Sequence, residues 1–99
     1  MKHPVGPILR MCDEVELVVE AIRDDNPERD IEVIDRGAYV RVQADGYLRV
    51  TEESLKHHLG DGFHIRSLEG MLSSFAGRIK TASDHIEWTL TASPNAPAR

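Results

Sequence analysis

Residues 38–50, Ala38-Tyr39-Val40-Arg41-Val42-Gln43-Ala44-Asp45-Gly46-Tyr47-Leu48-Arg49-Val50, carry the strongest fold signal in the chain. Val40, Val42 and Ala44 alternate with Tyr39, Arg41 and Gln43, the period of a strand with one buried face. Asp45-Gly46 favours a two-residue hairpin turn, because both residues tolerate positive φ. Leu48 and Val50 then continue the alternation. The stretch predicts two antiparallel strands joined by a tight hairpin, with Tyr39 and Arg41 on the face opposite Val40 and Val42.

Upstream, Ile31 to Ile34 reads as a further strand, separated from this one by the turn Asp35-Arg36-Gly37. Before it, Val15, Val18, Val19 and Ile22 fall on one helical stripe. Asp13 stands where it can cap that helix, with Glu16 in capping-box spacing. Asp24-Asp25-Asn26-Pro27 stops it, since the residue before proline is pushed out of the helical region. Val5 to Leu9 is apolar but broken by Gly6 and Pro7, which suits an edge strand.

Downstream, Thr51 can cap a second helix, with Glu52 and Glu53 in its first turn, Leu55 and Leu59 facing inward and Gly60 just past its end. A third helix is expected over Ser67 to Ser74, carrying Leu68, Met71 and Leu72 around Gly70. Phe75 to Lys80 and His85 to Leu90 form a last hairpin around Ala82-Ser83-Asp84. The order β-α-β-β-β-α-α-β-β is that of a single α+β domain over residues 1–90, mainly antiparallel with about three helices. Residues 91–99 are small, polar and proline-containing, and a disordered tail is expected there.

A chain of 99 residues buries roughly 65% of its unfolded surface, enough to fold without metal or disulfide. Its 17 acidic and 12 basic residues leave a net charge of -5, which argues against nucleic-acid binding. The single cysteine excludes an intramolecular disulfide and a cysteine-only zinc site. Val15 to Ile22 is interrupted by Glu16 and Glu20 and is too short to span a bilayer. Met1 to Pro7 lacks the pattern of a signal peptide, so a cytoplasmic protein is expected.

Chemistry-bearing motifs are sparse. His57 and His58 are adjacent on a helix and point about 100° apart, which disfavours a shared metal. Asp24, Asn26, Glu28 and Asp30 alternate as in a calcium loop, but the required glycine is missing. Cys12 has only Arg10 as a basic neighbour. The glycines form neither GxGxxG nor a P-loop, and no carboxylate lies in an apolar run that would raise its pKa for acid catalysis. No catalytic residue, cofactor or metal is expected, and the residues describe a binding or regulatory module. Two competitors are an adaptor that binds through an exposed sheet edge and a small enzyme using Cys12 or a histidine pair.

Four segments say more in combination: Val5-Gly6-Pro7-Ile8, Asp25-Asn26-Pro27, Ala38-Tyr39-Val40-Arg41-Val42 and Leu72-Ser73-Ser74-Phe75-Ala76-Gly77-Arg78-Ile79. In order and spacing over residues 5–90 the chain resembles the effector proteins of bacterial multicomponent di-iron monooxygenases. It is most similar to those of the toluene-4-monooxygenase and alkene type. The resemblance implies a cofactor-free regulatory subunit that docks on the α-subunit of a di-iron hydroxylase and tunes substrate access, oxygen activation, coupling and regiospecificity. It implies a Rieske ferredoxin and an NADH-dependent reductase as electron donors. Ser73, Ser74, Phe75 and Gly77 match the segment near the substrate entrance and are the first interface candidates, followed by Asn26, Pro27, Tyr39 and Arg41. Each also has a plain structural reading. Phe75 suits a core, Gly77 a close backbone approach, Asn26-Pro27 a helix stop, and Tyr39 with Arg41 a polar sheet face.

Overall fold

The computed structural model describes residues 2–90, and the tail expected to be disordered lies outside the described residues. The elements run β1 (Pro4–Arg10), α1 (Val15–Asp25), β2 (Glu32–Asp35), β3 (Tyr39–Asp45), β4 (Tyr47–Thr51), α2 (Glu52–Leu59), α3 (Ile65–Glu69), β5 (Leu72–Ala76), β6 (Arg78–Thr81) and β7 (His85–Thr89). They build an antiparallel four-stranded sheet of order β2-β3-β1-β5 and a three-stranded sheet of order β4-β7-β6. The α+β class expected from the sequence is the one observed.

One apolar core joins both sheets and the helices. α1 supplies Val15, Val18, Val19 and Ile22, the stripe that the periodicity predicts, and adds Ala21. β3 supplies Val40, Val42 and Ala44, β4 supplies Leu48 and Val50, and β7 supplies Ile86 and Trp88. Leu48, Leu55, Leu68, Ile86 and Trp88 are fully buried. Each such side chain contributes about 1.5–3 kcal/mol of transfer free energy.

The tight hairpin expected at Asp45-Gly46 does not form. β3 pairs with β1 and β2, whereas β4 pairs with β7, so at Gly46 the chain leaves one sheet for the other. Alternation requires a buried face and a neighbouring strand; it does not say which strand is the neighbour. β1 takes the place beside β3 that the hairpin reading assigned to β4. It is a central strand and not the expected edge. Its pairing with β3 is interrupted between Val5↔Ala44 and Ile8↔Arg41, across Gly6 and Pro7. The chain thus accommodates a proline without an N–H inside a sheet.

Two helix starts also differ. α1 begins at Val15 with no side-chain cap, because a turn closed by the Val15 amide on Cys12 O leads into it, and the Asp13–Glu16 box is unused. α3 covers Ile65–Glu69 where Ser67 to Ser74 was expected, and residues from Leu72 are strand. The Glu52 carboxylate accepts the Ile65 amide at 3.0 Å and the Ser67 hydroxyl accepts the His64 amide at 3.1 Å, which starts the helix earlier. The Thr51 cap forms as predicted, its hydroxyl accepting from the Ser54 amide at 3.1 Å. The β6–β7 pairing agrees with the expected last hairpin, although Phe75 and Ala76 belong to β5.

Candidate functional site

The outward face of the four-stranded sheet brings together several of the residues singled out from the sequence. Ile8 on β1 pairs with Arg41 on one side and with Ser74 on the other. Val40 and Val42 are buried, so Arg41 and Tyr39 point away from the core. Ile34 lies opposite Arg41 on β2 and extends the row. With strands about 4.8 Å apart, the Arg41 and Ser74 backbones stand about 10 Å from each other across Ile8. Tyr39 is 40% exposed and sits opposite Arg10, whose guanidinium is held by the Gly70 carbonyl. The face thus combines a guanidinium, a phenol, a hydroxyl and half-buried aliphatic groups.

β5 is the outer strand of this sheet, with β1 as its single neighbour. Its register shifts by one residue: Ile8 pairs with Ser74 while Leu9 pairs with Leu72, which leaves Ser73 bulged. A bulge bends the strand and re-aims its side chains. Ser73, Ser74 and Phe75 are exposed in succession: Ser73 in the bulge, Ser74 on the face of Ile8, and Phe75 on the opposite face at the open edge of the sheet. Phe75 lies opposite Pro7 and is 39% exposed, so the core position its residue type suggests is not the one it takes. No residue pattern in the segment announces this bulge.

The other candidates lie elsewhere. Gly77 links β5 to β6 with φ +90, and a Cβ there would lie 2.4 Å from Thr89 O and 2.7 Å from Val5 Cγ1. Backbone and side chain crowd it, so Gly77 serves the packing of one sheet on the other. Asn26 is 2% exposed at the end of α1. Its Nδ2 donates to Ile22 O and Arg49 O, both at 2.6 Å, and its Oδ1 accepts from the Arg49 amide at 3.2 Å. Pro27 beside it is exposed. The neighbouring Asp25, which the sequence reading used only as a helix stop, accepts from the Thr51 amide at 2.7 Å and from the Ser54 hydroxyl at 2.7 Å. Asp25 and Asn26 together tie α1 to β4 and α2.

The histidines are engaged in local contacts. His58 Nε2 lies 2.6 Å from Asp24 Oδ2, and the His57 ring packs edge-on against it with centroids 5.0 Å apart. His85 lies 2.8 Å from Asp84 and 3.6 Å from Glu87. The hydrogen bond from His85 holds the Asp84 carboxyl below its ordinary value. Among the described residues no group of three or more His, Cys, Asp or Glu side chains is placed to hold a metal ion. Cys12 is exposed at the start of the turn into α1.

Known proteins resemble this chain in sequence and in fold. The MmoB/DmpM family matches residues 3–89. The chain is 37% identical over 84 residues to the effector subunit of the alkene monooxygenase system of Xanthobacter autotrophicus, covering 85% of this chain and 83% of that one. It is similar to a chain in a phenol hydroxylase–regulatory protein complex, with TM-score 0.76, 26% identity, and 87% and 97% of the two chains covered. It is also similar to the soluble methane monooxygenase regulatory protein B, with TM-score 0.64 and 25% identity, covering 87% of this chain and 64% of that one.

Proposed function

The chain belongs to the MmoB/DmpM family, and from that premise we propose that its outward sheet face docks on the di-iron hydroxylase of a toluene- or alkene-type multicomponent monooxygenase. The protein is an effector subunit without catalytic activity of its own. The observation that carries the reading is the 37% identity to an alkene monooxygenase effector over most of both chains. A protein of the same fold, 26% identical, is part of a complex with phenol hydroxylase.

A ligand without chemistry of its own changes a reaction only by binding one conformation of its partner better than another. A coupling of about 1–3 kcal/mol shifts the populations 5- to 150-fold. The row Ser74–Ile8–Arg41 with Tyr39, flanked by Phe75 at the open edge of β5, offers the mixture found at interface centres: aromatic and arginine anchors among small polar groups. Through it the effector tunes substrate access, oxygen activation, coupling and regiospecificity on the hydroxylase α-subunit. A Rieske ferredoxin and an NADH-dependent reductase supply the electrons, in the cytoplasm. No helix among the described residues is long and apolar enough to cross a membrane.

The test is steady-state oxidation of toluene and of a short alkene by the cognate hydroxylase, ferredoxin and reductase, with this protein titrated from zero. A saturable rise in product per NADH, levelling near one effector per active site, is expected. A flat titration with folded protein would overturn the assignment and leave the sheet-edge adaptor.

A further inference from the structure

A second surface lies on the other side of the four-stranded sheet, between α1 and β2. Val33 on β2 pairs with Val42 on β3, so both face the core side of the sheet. Val42 is fully buried, yet Val33 is 38% exposed. The cover that buries Val42 does not extend over Val33 at the outer strand. What remains is an open groove of about 720 Å³, with buried Val15, Val19 and Val40 in its lining. Met11 and Leu17, both 41% exposed, also line it. Together with Val33 they are three of the five large hydrophobic side chains exposed among the described residues. The other two, Tyr39 and Phe75, belong to the proposed hydroxylase face.

The charges around the groove are mostly negative. Asp13, Glu16, Glu20 and Asp35 line it against Arg23 alone, four carboxylates to one guanidinium. From Asp13 to Arg23 the wall formed by α1 and its lead-in turn is about 15 Å long, enough for about ten residues of a second helix alongside. An apolar strip of that length with an acidic rim complements one kind of occupant. We propose that the α1–β2 groove binds a cationic amphipathic helix of a partner protein, its aliphatic stripe over Met11, Leu17 and Val33 and its lysines or arginines over Glu16, Glu20, Asp13 and Asp35. Bound there, the helix covers the exposed Val33 of β2. The site uses none of the residues of the hydroxylase face, so it stands or falls independently of that assignment.

The experiment titrates the full chain, isotopically labelled, with a synthetic Leu/Lys amphipathic helix about 14 residues long, and with a Leu/Glu helix of the same pattern as control. Saturable amide shifts centred on Met11, Leu17 and Val33 with the cationic peptide, absent with the anionic one, are expected. Leu17→Asp is a surface change that keeps the fold and should abolish the shifts. Glu16→Lys with Glu20→Lys should weaken binding by roughly tenfold. Shifts centred on Tyr39, Ser74 and Phe75, equal binding of both peptides, or unchanged binding by Leu17→Asp would each overturn the proposal.

Discussion

The side chain of Asn26 bonds both backbone groups of Arg49: it donates to the carbonyl at 2.6 Å and accepts from the amide at 3.2 Å. Arg49 lies on β4, an outer strand of the three-stranded sheet. On that open edge the amide side chain takes the place of a neighbouring strand's peptide group. It satisfies backbone groups that would otherwise be left unpaired beside the core. The same Nδ2 also closes the end of α1 on Ile22 O. The residue that reads as a helix stop is therefore the joint between α1 and the second sheet.

Asn26→Ala should destabilise the fold by about 2–3 kcal/mol, the cost of leaving buried donors and acceptors without partners. Asn26→Asp should cost at least as much, because a carboxylate would face two carbonyl oxygens. Urea unfolding followed by the fluorescence of Trp88, which is fully buried, measures both. A native-like midpoint for either variant would contradict the joint.

Gly77→Ala is expected to cost about 2–4 kcal/mol, since the new Cβ meets Thr89 O and Val5 at a positive φ. Gly37 has φ +84 with nothing within 4 Å of a Cβ, so Gly37→Ala should cost only about 1 kcal/mol. Thermal melts of the pair separate crowding from backbone strain.

Glu52 accepts the Ile65 amide and lies 3.4 Å from Lys56. The backbone hydrogen bond, more than the lysine, holds its carboxyl below the ordinary value of 4.5. A depressed carboxyl stabilises the fold fully above its ordinary pKa, and the contribution disappears as pH falls through the folded value. Glu52→Gln should therefore lose stability at neutral pH, and its difference from the parent should shrink on acidification below that range. Denaturation midpoints from pH 7 to pH 3 test this; a difference that grows toward acid would refute it.

Phe75→Ala and Tyr39→Ala remove exposed rings and should change stability by no more than about 1 kcal/mol. In the hydroxylase titration each should raise the half-saturating effector concentration by roughly tenfold, as anchor residues do. Arg41→Glu should act mainly through the association rate and become less damaging at high salt. Wild-type titrations for all three variants would move the docking surface off this face.

Local rules read directly from the chain account for a good part of this protein. The α1 stripe, the Thr51 cap, Gly60 past the end of α2 and the β6–β7 ladder all form where residue type and spacing place them, because each depends on neighbours a few residues away. The matched segments also suffice to place the chain in its family. Pairing over long separations is another matter. Only the folded chain decides that β1 and not β4 lies beside β3, since Asp45-Gly46 reverses direction equally well within a sheet or between two. The bulge at Ser73 comes from the register of β5 on β1: it sets Ser74 beside Ile8 on the outward face, while Phe75, opposite Pro7, is exposed only because β5 is the edge of its sheet. Asn26 is buried because an open strand edge some twenty residues away, at Arg49, leaves backbone groups for it to satisfy. Alternation and capping are written in one dimension, whereas the choice of partner strand is made by which apolar faces the whole core can bury at once.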